Sequence, residues 1–198
     1  AQDEVEVYQT MAAQLTYVIE FDRATIALVE GDAQHFVIQN IDSEKGILRP
    51  GPVLPILHSH MEVMLKAPRM VYEPELAQSK YVESILLTKQ GIQSVMRAPI
   101  MIQGEVIGTI NIGSLKEDAY SWEAQQLLGQ TANLLSITLE NQSLLDATQM
   151  AQLVVENSPV VLFQWGKQEN WPVEYVSQNI TRFGYTAEEL ISGEITYA

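Results

Sequence analysis

Residues 94–141 constrain the fold more than any other stretch of the chain. An apolar run, Ser94–Ile102, carries Pro99 and meets Gln103-Gly104, and a second run, Val106–Ile112, follows at once. A two-residue connection with Gly in second place suits a tight hairpin, because Gly takes positive φ without a Cβ clash. The polar turn Lys116-Glu117-Asp118 comes next, and Ser121 is placed as the N-cap of a long helical pattern. The stretch reads as a hairpin that runs directly into a helix.

Upstream, Val5, Tyr8, Met11, Ala12, Leu15, Val18 and Ile19 keep helical spacing and predict a helix over residues 4–20. Ala24–Val29 and Phe36–Ile41 read as strands parted by the turn Glu30-Gly31-Asp32. Pro50, Gly51, Pro52 and Pro55 argue for a loop without regular structure. Ser59-His60-Met61-Glu62 has capping-box spacing and predicts a short helix from His60, limited by Pro68. Arg69–Tyr72 is a short strand, and Val82–Gln90 a helix stopped by Gly91. The helix from Ser121 is expected to reach about Asn157, with Leu127, Leu128, Leu134 and Leu135 toward the sheet. Beyond Glu140, the narrower seam of Leu144, Leu145, Thr148, Ala151, Gln152 and Val155 suits a two-stranded helical linker.

This order of elements resembles a GAF domain, the small-molecule-sensing module of signalling proteins. The likeness rests on the 94–141 block, on Phe21-Asp22-Arg23 between the first helix and first strand, and on residues 73–81. That last phrase is similar to the family's Pro-Asp-Leu…Asp-x-Arg-Tyr segment. Glu75 takes the first Asp place, while Ser79 and Lys80 replace the second Asp and the Arg. The implied fold is α/β, an antiparallel sheet of about six strands with helices on both faces.

From Val154 the pattern changes. Val160–Trp165 and Val173–Ser177 read as strands, and Thr186-Ala187-Glu188-Glu189 as a capping box. Asn157-Ser158-Pro159 and Phe183-Gly184-Tyr185-Thr186 resemble the first part of a PAS domain. Such domains usually continue through a His-Pro-x-Asp phrase into three more strands, whereas this sequence ends at Ala198. The expected organisation is a GAF-like domain at 1–143, a helical signalling linker at 144–157 and a truncated PAS-like segment at 158–198. Opening on a helical pattern and closing on Thr-Tyr-Ala, the sequence reads as a piece of a longer protein.

Charge excludes several partners. Against 25 acidic residues stand 11 Lys and Arg, a net charge of −14. That balance disfavours nucleic acid, whose binding rests on Lys and Arg clusters, and an anionic membrane surface. No apolar run reaches the ~18 residues of a membrane span and no signal-peptide pattern opens the chain, so a cytoplasmic location is expected. With no cysteine, the chain has no disulfide, thiolate zinc site or cysteine nucleophile. Within the resembled family, this rules out a thioether-bound bilin and sulfoxide reduction by a thiol couple. No P-loop, GxGxxG, GxSxG or HExxH motif is present, and no enzyme activity is expected of this chain.

The resemblance implies a pocket between the sheet and the short helices and loops covering one face. Its candidate lining is Met61, Met64, Tyr72, Tyr81, Met96 and Arg97. Methionines suit an adaptable apolar pocket, and they equally suit plain core filling. Tyr72 and Tyr81 offer hydroxyls at a pocket rim, or pack with the hydroxyl in water. Arg97 is a charge inside a covered strand and needs a partner, an internal carboxylate or an anionic ligand. The 25 acidic residues favour the carboxylate. His58 and His60 are too few for a recognisable metal or haem site, so haem is disfavoured and no metal is expected. His60 is expected in a structural or surface role, because the first residue of a helix often faces solvent. The Asn-Lys…Phe…Asp-Glu pattern of cyclic-nucleotide GAF domains is not intact.

The implied function is a regulatory sensor module, of the sensor histidine kinase or cyclic-di-GMP cyclase or phosphodiesterase type. An unknown small molecule would bind in the pocket. A parallel homodimer would pass the change along its long helix to an output domain beyond Ala198. The competing expectation is a ligand-free structural module for dimerisation and relay.

Overall fold

The computed structural model describes Tyr8, Thr10, Leu15 and residues 17–41, 48–168, 171–193 and 195. Two compact units divide it, residues 1–141 and 142–198. In the first unit, strands β1 (Arg23–Val29), β2 (His35–Ile41), β3 (Leu48–Pro55), β4 (Val71–Glu73), β5 (Ser94–Ile102) and β6 (Glu105–Ser114) form one sheet. Its order is β3-β2-β1-β6-β5-β4, and every neighbouring pair is antiparallel. This is the expected α/β architecture with a six-stranded antiparallel sheet.

The hairpin that dominates the sequence forms as read. Gln103 and Gly104 both take positive φ, 51° and 82°, the pairing that a twisted two-residue turn demands. Side chains alternate across the sheet with period two. Ala24, Ile26, Met96, Ala98, Ile100, Ile110 and Ile112 point to one face and build the main core. Helix α3 (Trp122–Asn157) covers that face within this unit through Leu128, Ala132, Leu135 and Leu139. Leu127 and Leu134, expected to face the sheet as well, stand 39% and 51% exposed. Each is about 100° around the helix from its buried neighbour, which leaves room for one of every such pair on the sheet. Tyr8, Leu15 and Ile19 join the same core. The rest of the helix expected over residues 4–20 lies outside the described residues, apart from Thr10, Tyr17, Val18 and Glu20.

Two short helices, α1 (His60–Lys66) and α2 (Val82–Thr88), belong to the other face. Met61, Val82 and Leu86 pack there with Ala27, Phe36, Leu54 and Val106. Ser59 caps α1, accepting from the Glu62 amide. The capping box is only half made, because the Glu62 carboxylate takes the His58 amide instead. The His58 carbonyl in turn accepts from the Val82 amide and fixes the start of α2 beside the start of α1.

A further expectation fails. The Pro-rich stretch read as an irregular loop is strand β3, paired with β2 from Leu48 to Pro55. It lies at the sheet edge, where an absent N–H on the outer side costs no ladder bond. Gly51 helps the approach at the Val37/Gln39 bulge, since a Cβ there would stand 2.7 Å from the Ile38 carbonyl.

The second unit contains the rest of α3, a hairpin-like pair β7 (Phe163–Trp165) and β8 (Val173–Val176), and α4 (Ala187–Ile191). Its core is Val176, Ile180, Ala187 and Leu190. The Asn179 amide donates to the carbonyls of Val155, Ser158 and Val160 and ties the helix end to the segment leading into β7. The capping box at Thr186 and Glu189 forms in full.

Gly108 tests the sheet packing. A Cβ added there would press on the Ala27 carbonyl and lie 2.9 Å from Leu28 Cδ2. Gly108→Ala should therefore lower stability by about 1–3 kcal/mol, read as a fall in the urea midpoint at constant slope. An unchanged midpoint would show that β1 and β6 do not approach as closely as described.

Candidate ligand pocket

Away from α3, the middle of the sheet is polar. Arg97, Asn111, Thr25 and Asn40 stand in register on four neighbouring strands, forming a row across β5, β6, β1 and β2. Thr109 and Arg23 lie two positions to either side on β6 and β1. A sheet face of this chemistry cannot be closed by aliphatic side chains without stranding donors and acceptors. Between this face and α1, α2 and β3 lies a cavity of about 60 Å³. At about 10–15 Å³ of such space per water, it holds about four to six waters.

The floor and walls are unlike each other. Thr25, Thr109, Asn111, Arg97, His60 and Glu83 supply the polar lining, and Arg23 and Gln90 close one end. Ala27, Phe36, Leu54, Met61, Leu86 and Leu87 supply the apolar wall.

At one end sits a buried ionic cluster. Arg97, 3% exposed, donates to Glu73 Oε2 at 2.5 Å and to Ser84 Oγ at 2.8 Å. Ser84 Oγ donates to the same Glu73 oxygen at 2.7 Å. The internal carboxylate expected for Arg97 is thus Glu73, supplied by edge strand β4. Glu83 Oε1 accepts both the backbone amide and ring Nδ1 of His60, at 2.8 and 2.9 Å. Because a carboxylate only accepts, Nδ1 of His60 carries a proton. The Tyr81 ring lies 3.8 Å from the imidazole, centre to centre. Glu83 Oε2 is buried with no partner.

Burial by itself would push both carboxyl groups up. For Glu83, the hydrogen bonds from His60 and the charge of Arg97 outweigh burial and hold its pKa below the ordinary value. For Glu73, Arg97 does most of the same work, with Ser79, His60 and Ser84 adding to it. Both are therefore carboxylates at neutral pH.

The far end is cationic. Arg23 donates to Gln90 Oε1 at 2.5 Å and to Asn40 Oδ1 at 2.6 Å, both neutral oxygens. Its Nε is buried without a partner. Burial pulls the pKa of Arg23 below its usual value, yet a guanidinium stays charged at any physiological pH.

Of the six residues expected from the sequence, Met61 and Arg97 line the cavity. Tyr81 stands behind it, against His60. Met64 is fully buried and is not among the lining residues. Met96 and Tyr72 belong to the opposite face, in the core under α3. Tyr72 Oη donates to Asp118 and accepts from the Tyr120 amide, which pins the loop ahead of α3. Of the structural or surface role expected for His60, the surface half is corrected: it is 4% exposed and points inward. The Ser59 cap begins the helix in the interior, so its first residue meets Glu83 rather than water. Arg23, Asn111, Thr109 and Glu83 were not anticipated. The signal was there in Thr109-x-Asn111 and Arg23-x-Thr25, polar residues alternating with apolar ones on strands buried on both faces.

The model of the GAF domain matches residues 3–139. The GAF domain of a two-component sensor histidine kinase from Bacillus halodurans superposes with a TM-score of 0.57 at 20% identity, over 71% of this chain and 96% of that one. The type II free methionine-R-sulfoxide reductase of Thermoplasma acidophilum gives 0.51 at 19% identity, over 67% of this chain and 92% of that one. In sequence, the methyl sulfide methyltransferase-associated sensor of Methanosarcina acetivorans is 38% identical over 53 residues. That match spans 27% of this chain and 5% of the larger protein.

Two outcomes are expected of the ionic cluster. Arg97→Met should destabilise the chain by about 3–5 kcal/mol by leaving Glu73 buried and unpaired, and Arg97→Met with Glu73→Gln should recover much of that loss. Additive costs in chemical denaturation would show that the two side chains do not act as a pair. Because Glu73 and Glu83 have lowered native pKa values, their stabilisation is complete above the ordinary value of 4.5 and is lost as pH falls below it. Urea midpoints should hold from pH 7 to about 5 and drop on further acidification, less steeply in Glu83→Gln.

Proposed function

The chain belongs to the GAF domain family, and we propose that it is a sensor module that binds a small molecule in the cavity between the sheet and helices α1 and α2. The observation that carries this reading is the pair of buried, unpartnered polar atoms on the cavity lining, Arg23 Nε and Glu83 Oε2. No protein group meets either atom, so each must be met by what the cavity holds, water or a ligand, at a cost of about 1–3 kcal/mol if it is not. The lack of cysteine excludes a covalently attached bilin, so the ligand is held without a covalent bond to a thiol. Haem is disfavoured, since a cavity of about 60 Å³ is far too small for it.

The host would be a signalling protein of the sensor histidine kinase or cyclic-di-GMP cyclase or phosphodiesterase type, with its output domain after residue 198. Residues 158–198 would be the first part of a PAS domain. Helix α3 carries the change outward. Its exposed apolar positions, Leu134 and Ile137 in the first unit and Leu144 and Leu145 in the second, suit a parallel homodimer. No helix among the described residues is long and apolar enough to cross a membrane. Catalysis is not assigned to this chain.

Retained ligand and assembly are tested together by native mass spectrometry of the full 198-residue chain against its denatured mass. The expected result is a dimer with extra mass that is lost on denaturation. A bare mass supports the ligand-free relay module instead, and a monomer persisting at micromolar concentration overturns the homodimer.

A further inference from the structure

Resting on the sensor reading, the two ends of the cavity specify the chemistry of what fits between them. Glu83, Leu86, Leu87 and Gln90 line it in turn along the inner side of α2 and the turn after it. Glu83 stands at the ionic cluster, and Gln90 accepts from Arg23. Seven residues separate them, along α2 and into the turn that follows Thr88. The cavity is thus bounded by a bare carboxylate oxygen at one pole and a guanidinium at the other.

Neither pole is satisfied by the protein. Glu83 is 7% exposed, and its Oε2 has no donor. Its other oxygen is saturated by the two donors of His60. Arg97, the nearby cation, is committed to Glu73 and Ser84. At the opposite pole a guanidinium has five N–H donors in a fixed fork, and Arg23 spends two of them on neutral amide oxygens. Its Nε–H is left, and among the described residues no carboxylate pairs with it. A half-buried positive charge held only by neutral acceptors, with its Nε–H buried and unmet, is a receptor for an anion, most favourably a carboxylate that takes two N–H groups at once. A buried bare carboxylate oxygen is a receptor for a donor, most favourably an ammonium.

We propose that the cavity binds a short dipolar molecule, its ammonium on Glu83 Oε2 and its carboxylate on Arg23. The poles stand at opposite ends of the α2 side of the cavity, so the ligand's two charged groups are set apart by a chain rather than carried on one carbon. An ω-amino acid with about three methylenes has a size that suits a space of about four to six waters. Its methylenes would run along Ala27, Met61 and Leu86, and Thr25, Thr109 and Asn111 face the same space from the sheet.

The test is calorimetric titration of the full chain with glycine, β-alanine, 4-aminobutanoate, 5-aminopentanoate and 6-aminohexanoate, beside butanoate and butylamine. Affinity should peak at 4-aminobutanoate or 5-aminopentanoate, at least about tenfold above glycine, 6-aminohexanoate and either single-charge analogue. Glu83→Gln keeps an acceptor for His60 and should weaken 4-aminobutanoate at least tenfold while leaving butanoate unchanged. Arg23→Met should do the reverse, with butylamine unchanged. The wild-type series decides the matter by itself should a variant fail to fold. Single-charge analogues that bind as tightly as the dipolar probes, or affinity that peaks at either end of the series, would overturn the dipolar assignment and leave the sensor reading standing. The same holds where no probe binds and native mass shows another molecule retained. No binding by any probe together with a bare native mass would overturn both.

Discussion

Everything on the pocket side of this domain depends on one buried ion pair. Arg97 projects from the second-to-last strand of the sheet, and its charge can be sheltered only where Glu73 of the edge strand reaches it. Glu73 is itself tied to Ser84, and the residue before Ser84 on α2 holds His60 at the start of α1. One guanidinium therefore sets the positions of β4, α1 and α2 together. Hydrophobic packing alone would let such short helices slide, because apolar contact is non-directional. A charge-assisted network has one good geometry, and a high cost attaches to every other.

That network also explains why the cavity lies on this side of the sheet. The face under α3 carries Ile26, Met96, Ile100, Ile110 and Ile112 and closes to a packed apolar core. The other face carries Arg97, Asn111, Thr25 and Thr109 on the same strands, displaced by one residue. Aliphatic side chains from α1 and α2 cannot satisfy those groups, so closing over them completely would strand polar atoms at about 1–3 kcal/mol each. Leaving a water-sized space costs less. The period-two alternation of β1, β5 and β6 thus determines both where the core is tight and where a ligand has room.

The fold was largely legible in the sequence because its signals are local. Gln103-Gly104 specifies a hairpin, Ser121 a helix start and Gly91 a helix stop, and each forms as read. Strand β3 was missed because Pro and Gly register as breakers wherever they occur, and only the topology reveals that this strand has an outer side with nothing to pair. The site was less legible. Arg97 announced itself as a charge in an apolar run, and Met61 was drawn from the right segment. Met96 and Tyr72 were drawn from the right strands and sit on the opposite face, because a one-residue offset reverses a side chain. His60 and Glu83 meet across 23 residues, and no spacing rule within one element reports such a pairing. Arg23 looked like the end of a linking phrase, and its position opposite α2 is set only by the order of the strands.

The same offset gives the cavity a mechanical connection to α3. Strand β5 exposes Arg97 to the cavity, while Met96, Ala98 and Ile100 on its back press on the helix. At the end of this strand the Met101 amide donates to Ser136 Oγ, 2.9 Å away, and that hydroxyl donates in turn to the Ala132 carbonyl of α3. A packed core resists compression, so a displacement of β5 cannot be absorbed between strand and helix. On the sensor reading proposed above, such a displacement would be passed to Leu128, Ala132 and Leu135. Arg97 therefore holds the ionic cluster together on one side of a strand whose other side packs on α3 and is hydrogen-bonded to it.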